Sequence, residues 1–406
     1  MSAEGTGGQA GPSRRFLDYY ERELDHLYGA ARTIGEKYPA NAARLGLDRA
    51  TPRDSDPFLK QLVEGVAFLT ARLESRLDDT RVEHARQLLE IVRPGSLAPF
   101  PSCLIARVEP RLTSFTPSPR LEPVRLERGT PLRARSGGMP ECRFTTTSTV
   151  ELWPLGVEAP RCAPAREHGE LLGRALAGRA THVIAVDIES SGTIALGTLA
   201  LDSLPLHLDG GAGGGDAVQR LLQVLHGSVR AVRLVAEGRD ITDGEPRLAA
   251  LGFAPEEALL PGAEGGFEGD RLVREYFAFR RKFEFIRLEG LAASLARCPG
   301  NRVTVLVAVD VDEPDTLDRD VARTALRPFC TPAINLFERE LLPLPIKENR
   351  HEHLLPTDRA NPAHYEIHSV LEVRGRSSGR PEPIHPYFSD RSPHGSCRSF
   401  YALERR

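Results

Sequence analysis

Cysteine is sparse and scattered in this chain: six occur, at Cys103, Cys142, Cys162, Cys298, Cys330 and Cys397, and no two are spaced Cys-x-x-Cys. A thiolate zinc site or a redox pair needs that spacing, and a disulfide framework needs a denser set in a shorter chain. Reduced thiols in a cytoplasmic protein are the simplest account. An excess of one charge is missing too, since 53 Lys and Arg face 56 Asp and Glu for a net −3. The signs interleave, which gives no electrostatic case for nucleic acid. No run approaches the ~18 apolar residues of a membrane span, so direct membrane insertion is not expected. Met1 to Gly11 is glycine-rich without an apolar core, which predicts a disordered tail over residues 1–12 and not a signal peptide. Gly-x-Ser-x-Gly, His-Glu-x-x-His and the Rossmann glycine pattern are all absent, so no cofactor and no enzymatic activity are expected.

What is present begins with a helical rhythm over residues 13–101. Leu17, Tyr20, Leu24, Leu27, Ala31 and Ile34 recur at alternate steps of three and four, and so project from one side of a helix. Leu59, Leu62, Val66, Leu69 and Leu73 repeat the pattern, and Val82, Ala85, Leu89 and Val92 form a shorter third stripe. Pro12-Ser13 and Asp56-Pro57 are starting signals, and Pro94-Gly95 is a stop. Thr80 with Glu83 fits a capping box, which predicts a tight corner at Asp78-Asp79-Thr80 between a second and a third helix. A self-packed three-helix core would absorb the stripes. So narrow a seam also suits docking against the helices of another subunit, and the two readings are compatible.

Beyond Pro101 the period shifts to two. Residues 102–200 read as a β-rich module: a strand from Cys103 to Val108, an extended arm forced by Pro110, Pro117, Pro119 and Pro123, Thr-rich strands down to Trp153, and a buried strand from Val183 to Ile188. The polar stretch Pro160 to Arg179 between them has no clear assignment. Residues 201–300 read as a mixed α/β module. Leu199-Leu201 and Leu204-Leu206-Leu208 alternate in opposite phase, so Asp202-Ser203 must reset the facing. Gly210 to Asp216 could cradle a phosphate, yet it lacks the Gly-Lys-Ser/Thr ending; a flexible connection into a short helix from Ala217 to Leu225 fits better. Phe277, Phe279, Phe283 and Phe285 keep a period of two, which predicts a hairpin with its aromatics inward; their interleaving with cations could also suggest stacking on single-stranded nucleic acid.

Residues 301–406 read as β-rich again, with a strand from Val303 to Asp310, a polar helix from Leu317 to Leu326, and a proline-started turn at Thr331-Pro332 in which Asn335 satisfies backbone groups while Ile334, Leu336 and Phe337 pack. The fold class is therefore α+β: a helical region, then sandwich- or barrel-like β modules with a few short helices and proline-rich arms. One cluster could carry chemistry, namely His351, Glu352, His353, His364, Glu366 and His368. It would centre a metal-dependent hydrolase or ligand-binding module if three or four of these converged, but the spacing matches no zinc fingerprint and nearby prolines favour exposed loops.

Several blocks, in order, resemble the TssF (VasA/ImpG) family of baseplate subunits of the bacterial type VI secretion system. They are Phe16 to Leu24, Asp56-Pro57, Glu64 to Arg72, Leu77-Asp78-Asp79, Pro99 to Ser102, Cys142 to Thr145, Phe253 to Pro261, Arg271 to Phe279 and Thr331 to Phe337. The resemblance implies a structural scaffold on the cytoplasmic side of the inner membrane. It further implies a wedge made with TssG and a second TssF copy, joined by TssK and TssE around the VgrG spike. Members of the family typically continue through a further C-terminal region that this chain is expected to lack. The contact residues expected on this basis are Leu17, Tyr20, Leu24, Leu27, Ile34, Leu59, Leu62, Val66, Leu69, Leu73, Asn335 and Phe337.

Overall fold

The computed structural model describes residues 14–45, 57–92 and 97–403, apart from 112–114, 116–119, 136–140, 174–177, 213, 261–266, 347–348, 351, 356, 359–360, 362–363, 378–379 and 387–398. The tail over 1–12, the caps at Ser13 and Asp56, the Pro94-Gly95 stop and His351 therefore lie outside the described residues. The chain divides into two units, one formed by the N-terminal helices and the other by residues from Ala98 to His385 and a short later piece. It is an α+β protein of helices followed by open antiparallel sheets, and among the described residues none of those sheets closes into a barrel.

The first unit holds α1 (Arg14–Lys37), α2 (Pro39–Leu45) and α3 (Pro57–Val92). Proline sets two of these boundaries: Tyr38, ahead of Pro39, is pushed out of the helical region, and Pro57 opens α3 with a ring already shaped for the first turn. The expected corner at Asp78-Asp79-Thr80 does not form, and α3 runs unbroken through it for 36 residues. Thr80 Oγ1 donates to the Arg76 carbonyl at 2.9 Å, one turn back within the helix, while Asp78 is occupied by α1. Side chains that would cap a helix start have partners here that do not require one.

In the second unit the long sheet runs, edge to edge, Arg239–Asp240, Val229–Ala236, Arg302–Val309, His182–Ser190 and Leu155–Val157, with Arg161–Pro164 also paired to His182–Ser190. Ile184, Val186 and Ile188 lie beside Val307, Val305 and Val303, and this face belongs to the main core. Val183, Ala185, Leu306 and Ala308 fill the opposite face, covered by Ala165, Leu172 and Ala180. The polar stretch from Pro160 thus supplies a strand and the lid over the back of the sheet. With both faces buried, the strands carry near-continuous apolar runs.

A second sheet, Arg247–Ala250, Phe285–Glu289, Ser203–Asp209 and Ala325–Pro328, completes the main core with Leu204, Leu206, Leu208, Ile286 and Leu288. Leu199 and Leu201 join the same core, so the chain does reset its facing at Asp202-Ser203. α4 (Gly215–Gly227) packs Val218, Leu221 and Leu225 beneath it. The glycine tract ahead of α4 is a tight connection: a Cβ on Gly214 would lie 2.0 Å from the Gly210 carbonyl oxygen.

Two expectations fail in this unit and a third, the polar helix, holds except at its C-terminal end. The aromatic hairpin is instead α5 (Glu268–Ala278) followed by a single helical turn at Arg280–Phe283, with Phe285 starting a strand. Glu275, drawn into the interior by Arg271 and Lys282, anchors that helix, and Phe277 points to solvent. The polar helix is α6 (Pro314–Ala322), and Ala325–Pro328 is a strand. Thr331-Pro332 is no turn either. Cys330–Ile334 is a wholly buried strand between Cys103–Arg107 and Cys142–Thr146, in a third sheet that ends with Pro131–Ala134. The Pro332 carbonyl accepts both the Thr147 amide and hydroxyl, at 3.0 and 2.9 Å. Just ahead, Phe329 takes φ +59°, a left-handed conformation unusual for a bulky residue, as the chain passes from the second sheet to the third.

Candidate assembly surface

α1 and α3 run antiparallel, joined by a polar clamp that composition alone does not reveal. The Tyr19 hydroxyl donates to Asp78 Oδ2 at 2.5 Å, Arg15 pairs with Asp79 at 3.2 Å, and Arg22 pairs with Glu74. The Tyr19 bond holds the Asp78 carboxyl below its ordinary pKa. Beside these pairs Tyr19, Ala67 and Ala71 are buried, the alanines completely, because small side chains let the helices approach closely. Burial, with Glu64 nearby, pushes the Tyr20 and Tyr28 phenols up, as expected of residues that sit partly under α3.

The leucine stripe of α3 is elsewhere. Leu62, Val66, Leu69 and Leu73 are offset from the clamp positions 67, 71, 74 and 78 by roughly 140° around the helix at 100° per residue. They stay in solvent: Leu62, Leu69, Leu73 and the next residue of the stripe, Leu77, are 65%, 61%, 61% and 61% exposed. A self-packed three-helix core is thus not what these residues build, since the described part of the unit spends alanine and tyrosine on its internal seam. Of the other expected contact residues, Leu17 and Ile34 are exposed and Tyr20, Leu24, Leu27 and Leu59 are half-buried. Ala67 and Ala71, four apart and in step with Tyr19, were the available signal for the true seam.

Asn335 and Phe337 lie in the other unit, where their contacts are internal. The backbone N–H of Asn335 donates to the Ser102 carbonyl at 2.8 Å. The Phe337 ring stands between the Arg143 guanidinium, 5.6 Å from its centroid, and Tyr365. The histidines do not form a metal centre: among the described residues no three His, Cys, Asp or Glu side chains come together in a way that could hold an ion. Nor is any described helix long and apolar enough to cross a membrane.

A helix pair that buries its alanines and displays its leucines leaves an apolar helical face in solvent. The chain belongs to the TssF family, described as "Type VI secretion system, TssF", whose family model matches residues 12–406. It is 34% identical over 402 residues to the type VI secretion system component TssF1 of Pseudomonas aeruginosa, covering 96% of this chain and 63% of that protein. It is also similar to a chain in the solved structure of the type VI secretion system TssK-TssF-TssG baseplate subcomplex, with a TM-score of 0.60 and 26% identity over 81% of this chain and 58% of that one. The chain thus spans roughly three-fifths of the relatives it matches.

Proposed function

We propose that this protein is a structural, non-catalytic wedge subunit of a type VI secretion baseplate, and that the outward stripe of α3 is its face in an inter-subunit helix bundle. Family membership and the TssK-TssF-TssG neighbour support the baseplate role. The observation that carries the surface is the exposure of Leu62, Leu69, Leu73 and Leu77 on one side of α3. A contiguous apolar ridge of this kind on a soluble helix marks a contact site. Leu17 and Ile34 of α1 are further candidates for it. TssG and TssK are the partners expected first, with a second TssF copy, TssE and the VgrG spike completing the assembly, which would stand on the cytoplasmic side of the inner membrane.

Coexpression with TssG followed by sizing of the complex tests the reading. Leu62→Asp with Leu69→Asp should abolish co-purification while circular dichroism stays unchanged, because both side chains already face water. Recovery of an unaltered complex would remove the interface.

A further inference from the structure

The segment from Asn335 to Tyr365 leaves the third sheet and returns, and its neck is clipped. The Phe337 and Tyr365 rings meet edge to face at 6.2 Å, Arg339 lies over Tyr365 at 4.6 Å and pairs with Asp358 at 3.2 Å, and Thr357 Oγ1 donates to the Tyr365 carbonyl. Beyond the neck runs Leu341-Leu342-Pro343-Leu344-Pro345-Ile346, in neither helix nor strand. Its burial repeats every third residue: Leu341 and Leu344 are half-buried, and Leu342, Pro343, Pro345 and Ile346 are exposed. A three-residue burial period with two prolines suits a polyproline-type ridge, one edge half-buried and the other two apolar and exposed.

A second apolar surface lies on α5. Glu275 faces inward, and Val273, Tyr276 and Phe277 face out, Phe277 with 84% of its surface exposed. The rings continue one another: Tyr276 is 5.7 Å from Phe277 and 5.7 Å from Phe283, which is 5.1 Å from the exposed Phe253. Exposed Arg280 and Arg281 follow the helix directly.

The two surfaces match in chemistry and in sign. Polyproline ridges dock on aromatic faces, where their ordering cost is already met and the flat rings accept proline and leucine edges. The ridge is preceded by exposed Glu338 and Glu340, the second within the field of Arg374, and the aromatic face is followed by Arg280, 3.6 Å from Glu284, and by Arg281. We propose that the Leu342–Ile346 ridge of one copy docks on the Val273–Phe277 face of a second copy of this chain, with Glu338 and Glu340 set against Arg280 and Arg281. Both surfaces are exposed in a single copy, so the contact joins two, and because it pairs unlike surfaces it is head-to-tail. A patch this small makes a weak contact on its own, suited to copies already held in an assembly. It uses no residue of α3 and stands apart from the helix-bundle reading.

The test is sedimentation equilibrium of the full chain carrying Leu62→Ser and Leu69→Ser, which takes the α3 stripe out of the measurement. In that background the chain should self-associate with rising concentration. Leu342→Ser, Phe277→Ser, Arg281→Glu and Glu340→Arg should each weaken association about tenfold or more, the usual effect of a central contact side chain. Glu340→Arg combined with Arg281→Glu should restore it. All four positions are exposed, so circular dichroism should not change. A chain that stays monomeric up to ~1 mM, association indifferent to both charge reversals, or a double variant no better than the singles would overturn the proposal. So would finding that the same substitutions disrupt binding of TssG and leave self-association intact.

Discussion

Lys282 Nζ and Glu275 Oε2 are in direct contact with both side chains withdrawn from water. Burial draws the Lys282 pKa down while the carboxylate pulls it back. Glu275 also takes Arg271 at 3.0 Å, and its other oxygen accepts the Leu259 amide at 2.9 Å and the Leu260 amide at 3.3 Å. The cluster ties α5 to the turn that follows and to the 259–260 loop. Glu275→Leu strands a buried ammonium and should cost about 3–5 kcal/mol, whereas Glu275→Leu with Lys282→Met should recover part of that, Arg271 keeping only Glu268 of its two carboxylates. Urea unfolding measures both. A double variant as unstable as the single would mean that the pair is not coupled.

Acid should weaken the second sheet through His207. Its ring is buried against Phe285 at 4.7 Å, and burial, opposed by Asp209 and reinforced by Arg281 and Arg327, pulls its pKa from 6.5 to about 4. A folded-state pKa below the unfolded one means that the unfolded chain takes the proton first. The stabilisation is complete above pH 6.5 and is lost as pH falls toward about 4, by up to about 3 kcal/mol. The gap in unfolding free energy between the native protein and His207→Gln should therefore shrink from pH 7 to pH 4.5, with other carboxylates cancelling in the difference. A constant gap would contradict this.

The two faces of α3 should respond in opposite ways. Leu69→Ser on the stripe should change stability by no more than about 0.5 kcal/mol, as exposed substitutions do. Ala71→Leu on the seam adds three carbons where none fit and should cost about 1–3 kcal/mol. Thermal melts of the two variants decide the matter. A larger loss at Leu69 than at Ala71 would reverse the assignment of the faces.

Gly214→Ala should be costly for a different reason, since the added carbon would sit 2.0 Å from a backbone oxygen of Gly210 that has no rotamer to escape with. The loss should be at least about 2 kcal/mol by chemical denaturation. Gly211→Ala, which meets no atom but sits at φ +62°, should cost less.

The helical stripes, the buried strands at 183–188 and 303–309, and the phase reset at Asp202 were all legible in the sequence, because each is a period within one element; burial imposes it on the strands, while the α3 stripe carries it in solvent. Three features were not. Thr80 read as a cap because the same hydroxyl, inside a helix, donates to the carbonyl one turn back. The phenylalanines from 277 to 285 alternate by coincidence, and it is the Arg271-Glu275-Lys282 cluster, a tertiary contact, that makes the segment helical. Pro332 looks like a strand breaker, yet it sits in a buried strand whose neighbours, Cys103–Arg107 and Cys142–Thr146, come from far away in the chain. As for the leucines of α3, the stripe was visible and its direction was not: only the polar clamp around Tyr19 shows which side of α3 is turned away.

The strand from Cys330 to Ile334 pairs residue by residue with Cys103 to Arg107, some 230 positions earlier. A ribosome making this protein therefore releases the opening strands of that sheet long before their central neighbour exists. Until Pro332 emerges they wait with bare edges, and the interval of synthesis between the two is when this chain most needs a chaperone.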